Sequence, residues 1–116
     1  MATTIIDTER CRRIALPGMQ GAVAEIVNRD LCGAKNVLGM LRWLEPGEHF
    51  NAESLLDTHQ LIYFMAGDGV VTIGARDHDL RQGAGVYLGP RETAAIRQSG
   101  RETLKLFHLV VPRLPE

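Results

Sequence analysis

Aromatic residues are scarce in this chain: one Trp, two Tyr and three Phe among 116 residues. Cysteine is scarcer still, with only Cys11 and Cys32, so a small fold stapled by several disulfides is excluded. No apolar run approaches the roughly 20 residues a membrane-spanning helix needs. The N-terminus, Met1-Ala-Thr-Thr-Ile-Ile-Asp-Thr-Glu-Arg, lacks the basic start and apolar centre of an export signal. A cytoplasmic protein with two reduced thiols is therefore expected. Neither charge sign dominates, because 13 Lys and Arg face 14 Asp and Glu for a net charge of −1. Such a balance offers no field to gather nucleic acid or an anionic membrane, and neither is expected as a partner. Also missing are a glycine-rich phosphate loop, a Cys-x-x-Cys pair, a His-Glu-x-x-His helix and a Gly-x-Ser-x-Gly elbow, and the chemistries built on them lose their main support.

What the chain does have is glycine at regular intervals. Turn signals at Gly67-Asp-Gly69, Gly74-Ala-Arg-Asp77, Gly83-Ala-Gly85, Gly89-Pro90 and Ser99-Gly100 separate apolar runs of strand length. This spacing predicts an all-β sandwich or barrel. Upstream, Arg13–Pro17 and Ala22–Val27 read as short strands around a turn, residues 28–33 as a loop, and Asn36–Leu44 as a strand covered on both sides. Residues 1 to 10 read as a polar tail. The length suits one domain, with an N-terminal arm over 1–34 and a barrel core over 35–112. In the last run, Leu104 to Val111, alternation puts Leu104, Leu106, His108 and Val110 on one face and Lys105, Phe107, Leu109 and Val111 on the other.

Three stretches carry a resemblance to a known family. Pro46-Gly47, Tyr63-Phe-Met-Ala-Gly-Asp-Gly69 and Gln82-Gly-Ala-Gly-Val-Tyr-Leu-Gly-Pro90 resemble, in order, the opening and close of the first cupin motif and the entrance to the second. The chain is thus similar to small RmlC-like cupins over residues 46 to 112. The resemblance implies a double-stranded β-helix, a jelly-roll barrel of two antiparallel sheets. It also implies a metal held by three histidines and a glutamate, and there the chain departs. Gln60 falls at the glutamate position, Ala94 at the last histidine, and either Glu53 with Leu55 or Ser54 with Leu56 at the first two. Leucine and alanine have no lone pair to give, so no metal and no other cofactor is expected. An atypical divalent site from His49, Glu53, Gln60 and His108 is the alternative.

The remaining polar candidates follow from parity. His108 shares the face of Leu106 and Val110, expected to point into the lumen, where it serves as an anchor or an acid–base group with Gln60 and Glu53. An apolar replacement there is expected to leave stability intact. His49 has the parity of Glu53 and is placed at the barrel mouth. His59 is expected outside and His78 in a solvated turn. Arg42, Arg91 and Arg97 can fork onto a carboxylate, although surface arginines paired with neighbouring carboxylates are the commoner case. The reading that results is a cupin-type protein binding a small polar or carboxylated molecule in its lumen through Gln60, His108, Glu53 and His49. The alternative is an enzyme of isomerase, lyase or hydrolase type, or a metal-dependent dioxygenase, using His108 with Glu53 or Gln60. The resemblance further implies a homodimer, for which Phe107, Leu109 and Val111 offer an apolar outer face.

Overall fold

The computed structural model of the protein describes residues 3–15, 20–34 and 36–111. Its strands are β1 (Ala22–Val27), β2 (Leu38–Leu44), β3 (His49–Glu53), β4 (His59–Ala66), β5 (Gly69–Ile73), β6 (Arg76–Leu80), β7 (Gly85–Leu88), β8 (Thr93–Gln98) and β9 (Leu104–Val111). They form two antiparallel sheets. One is five-stranded in the order β1-β2-β9-β4-β7, the other four-stranded in the order β3-β8-β5-β6. This is the all-β double-sheet architecture that the glycine spacing predicts.

Packing follows the period-two alternation of the strands. Phe50 and Ala52 of β3, Ile62 and Phe64 of β4, Val71 of β5, Ala94 and Ile96 of β8, and Leu104 and Leu106 of β9 meet between the sheets in one core. Residues directly opposite in a ladder share a face. The pairs Arg42 with Leu106, Met40 with His108 and Ile62 with His108 therefore fix which polar side chains accompany these apolar ones inward.

Several local expectations need correction. The loop expected after β1 contains one helical turn, α1 (Arg29–Cys32). Asn28 caps it by accepting from the Leu31 amide at 2.8 Å, and Gly33 ends it at φ 75°. The tail holds a single 3-10 turn at Thr8–Arg10. Of the segment Arg13–Pro17, Ile14 makes one antiparallel bridge to Val23, and Leu16 and Pro17 lie outside the described residues. Arg76-Asp-His-Asp-Leu80, expected as part of a turn, is strand β6, with Arg76 to Asp79 exposed. An edge strand wet on both faces shows no hydrophobic alternation, so its all-polar sequence carries no strand signal. His78 is exposed there, as expected, but on a strand. Both cysteines are free thiols.

Gly69 opens β5 against the core side chains of β4 and β9. A Cβ there would meet Leu104 Cδ2 at 2.8 Å and both Arg97 O and Phe64 Cε2 at 2.9 Å. Two of those neighbours are core side chains with no slack, so the added methyl overpacks the barrel. Gly69→Ala is expected to lower stability by about 1–3 kcal/mol, read as a fall in the urea midpoint with an unchanged slope.

Candidate functional site

Three polar side chains meet inside the barrel. His108 is only 4% exposed, and Gln60 of the neighbouring strand β4 is 5% exposed. Arg42 reaches them from β2 on the other side of β9 and is half-buried. The Arg42 Nε–H donates to His108 Nδ1 at 3.0 Å. The other ring nitrogen, Nε2, lies 2.6 Å from Gln60 Oε1. Gln60 Nε2 in turn donates to the Glu53 carbonyl at 2.8 Å and to Ser54 Oγ at 3.2 Å.

The direction of this chain of bonds is settled at its arginine end. A guanidinium can only donate, so His108 Nδ1 must accept, its proton must sit on Nε2, and Gln60 must present its oxygen to the ring. His108 is therefore a neutral imidazole of one defined tautomer. Burial, with the Arg42 charge adding to it, lowers its pKa from 6.5 to about 3. Burial also lowers the Arg42 pKa to about 10, which leaves it charged at neutral pH. The Phe50 ring lies beneath this cation, with the guanidinium carbon 4.4 Å from its centroid, and 5.8 Å from the His108 ring centroid. No carboxylate among the described residues pairs with Arg42, and its two Nη groups donate to none of them.

His108 and Gln60 are thus brought together in the lumen, while the other two expected site residues are not. In β3 it is Phe50 and Ala52 that face the core, so the His49 and Glu53 side chains point to solvent. Only the Glu53 backbone carbonyl reaches the network. This corrects the placement of His49 and Glu53 in a lumenal site: the parity joining them is right, but its inward phase belongs to Phe50, Ala52 and, beyond the strand, Ser54. Ala94, at the position of a family histidine, faces inward and is 5% exposed. Ser54 and Arg42 are members of the site that the sequence offers only in passing, Ser54 as an alternative to Glu53 in the inherited motif and Arg42 as one of three arginines able to bind a carboxylate. Arg42 shares the inward face of Met40 and Leu44, and a charged residue in that phase was the available signal. Arg97 does what was expected of an ordinary surface arginine, lying 3.4 Å from Asp77. His59 lies outside on β4, with Nδ1 2.5 Å from Tyr87 Oη.

The donor set does not fit the metal that the resemblance implies. His108 has both ring nitrogens engaged, one of them by a cation that would repel a metal ion, and no carboxylate side chain joins it. Among the described residues, no three His, Cys, Asp or Glu side chains cluster as metal ligands would.

Comparison with known proteins places the fold as a cupin-type double-stranded β-helix. A predicted oxalate decarboxylase from Thermotoga maritima superposes with a TM-score of 0.82 over 95% of this chain and 100% of its own, at 15% identity. The polyketide cyclase RemF from Streptomyces resistomycificus gives 0.78 over 96% and 80% at 11% identity. An RmlC-like cupin from Shewanella frigidimarina gives 0.71 over 90% and 86% at 13% identity. At such identities the likeness is one of fold alone. The sequence itself is more specific: residues 40–112 match the model of the AraC-like ligand binding domain, and the chain belongs to that family. A search of curated protein sequences finds no match. Among the described residues, no helix is long and apolar enough to cross a membrane.

The network alters what the sequence led one to expect of His108. Replacing it by leucine strands the Arg42 Nε–H and Gln60 Oε1 in an apolar lumen, so His108→Leu is expected to lose stability, by about 1–3 kcal/mol for each group left unpaired. The pH dependence has a defined sign. The unfolded chain takes up the His108 proton near pH 6.5, the folded one near 3, so its contribution is complete above the higher value and is lost as pH falls toward the lower one. Chemical denaturation of the wild type between these limits should show an acid-side loss of up to about 1.4 kcal/mol per pH unit that His108→Gln lacks. Parallel pH profiles for the two proteins would overturn this assignment.

Proposed function

We propose that this protein binds a small carboxylated molecule at the lumen, with Arg42 as the group that recognises it and without a metal. The observation that carries the reading is the Arg42 side chain: a half-buried guanidinium fixed through Nε on His108, with both Nη groups free of the described residues. A fork held in that way matches the two oxygens of a carboxylate. His108 and Gln60 act as positioning residues, holding the fork in place rather than exchanging protons. Membership in a family of ligand-binding domains supports a binding role. A neutral imidazole whose pKa lies near 3 is a poor acid or base at neutral pH, and Glu53 stands outside, so the acid–base enzyme reading has less behind it.

Calorimetric titration with small monocarboxylates and their amides tests this. Carboxylates should bind and amides should not, and Arg42→Met should weaken carboxylate binding by about 10- to 100-fold, the size of a lost charged hydrogen bond. Equal binding of acid and amide, or unchanged affinity in the variant, would refute it.

We further infer that two copies pair through the outer face of the five-stranded sheet. Leu61, Tyr63 and Tyr87 are 40%, 41% and 59% exposed there, beside half-buried Phe107 and Leu109. A contiguous apolar patch on an otherwise mixed surface favours an isologous contact. Light scattering at micromolar concentration should give the dimer mass for the wild type and the monomer mass for Leu61→Lys. A wild-type monomer would end the inference.

A further inference from the structure

The connection between β3 and β4 lines a further concavity, which meets the lumenal network at Ser54. Glu53, Ser54, Leu55, Leu56, Asp57 and Arg91 line an open cleft of about 450 Å3, a size ordinary for small-molecule sites (roughly 300–1,000 Å3). Its walls are tied together by backbone bonds, Ser54 N–H to Glu92 O at 2.9 Å and Arg91 N–H to Leu55 O at 3.1 Å.

Ser54 is the informative residue in this cleft. It is 2% exposed, and its Oγ accepts from Gln60 at the end of the chain of donors that starts on Arg42. Its own O–H must therefore donate away from Gln60, and no described residue accepts it. At the far end of the same connection, Thr58 Oγ1 is buried with no hydrogen-bond partner among the described residues. Buried hydroxyl groups with unused capacity are uncommon; of these two only Ser54 lines the cleft, and the acceptor of a molecule bound there would satisfy it.

Charge and apolar surface narrow the ligand. Arg91 supplies one cation and Glu53 and Asp57 supply two anions, none of them in an ion pair among the described residues. A simple anion would meet Arg91 but also two carboxylates, and a simple cation would leave Arg91 and the Ser54 proton unmatched. A zwitterion matches both signs. Leu55 and Leu56, 45% and 69% exposed, offer an apolar wall beside them.

We propose that this cleft is a binding site for a free α-amino acid with an apolar side chain. Its carboxylate takes the Arg91 guanidinium and the Ser54 hydroxyl, its ammonium faces Glu53 and Asp57, and its side chain lies on Leu55 and Leu56. The site shares Ser54 with the lumenal network but does not rest on a carboxylate being bound at Arg42.

Titration with L-leucine, 4-methylpentanoate and 3-methylbutylamine, read at the amide resonances of residues 55–57 and 91 so that a carboxylate bound at Arg42 is not counted, tests the proposal, since the two analogues each lack one charge. Leucine should bind, and each analogue should bind at least about tenfold more weakly. Ser54→Ala and Arg91→Gly should each weaken leucine by about tenfold or more. Arg91 holds a left-handed backbone at φ 66°, which glycine adopts without cost, so Arg91→Gly should keep its thermal midpoint, and its loss of binding then reports on the site rather than on folding. Amide resonances of residues 55–57 and 91 should shift on titration with leucine. No binding of leucine, equal binding of the analogues, or full affinity in Arg91→Gly would overturn the proposal. Failure here and failure of the lumenal reading are separable, because this titration is read at the cleft residues while the latter turns on Arg42.

Discussion

Strand β9 is hydrogen-bonded along both edges, to β2 from Leu38 through Leu44 and to β4 from His59 to Ala66, and the site depends on that double clamp. A strand with a free edge can slip by one residue and turn every side chain to the other face. Here a slip would have to break two ladders at once and expel Leu104 and Leu106, both fully buried, from the core. The position of His108 is thus fixed by the same packing that stabilises the barrel. Arg42 and Gln60 are fixed with it, because they project from the two strands that hold β9 in register. The bulge between Phe64 and Ala66 falls toward the opposite end of β4 from Gln60, so the irregularity in that ladder does not disturb the site.

Within this frame one donor-only group orders several ambivalent ones. A buried His–Gln pair alone has two tautomers and two amide orientations of similar energy, and a lumen so lined would present no definite pattern to a ligand. Arg42 removes the choice, since its Nε–H obliges Nδ1 to accept and each following group to take up one orientation, as far as Ser54. Burial of three polar side chains is costly unless each finds a partner, and the network supplies one to each.

How much of this could be read in the sequence depends on whether a residue's neighbours report its phase. His108 and Gln60 lie in runs whose alternation with Leu106, Val110, Ile62 and Phe64 sets the inward face, and both were legible. Glu53 and His49 were misplaced because Phe50 and Ala52 are the only apolar markers in a five-residue strand, while the inherited motif drew attention to the polar residues between them. Strand β6 was illegible for the opposite reason: solvent on both faces erases the pattern by which strands are recognised. Ser54 is harder still. It lies one residue past the end of β3, and its part in the site comes from Gln60 folding back onto it, a contact between elements that neither local sequence encodes.

A guanidinium in the lumen differs from a metal ion in what it can select. A metal ion is a point charge with open coordination positions and binds whatever lone pairs reach it in the right geometry. An arginine side chain is a planar fork of fixed donors, so it favours ligands with two coplanar acceptors, and its charge is carried by the chain itself and needs no loading. A guanidinium also cannot lower the pKa of a bound water as a metal does. With the histidine neutral and the Glu53 carboxylate turned outward, the polar groups of this lumen form one fixed pattern of donors and acceptors, and it is this pattern that the carboxylate reading uses.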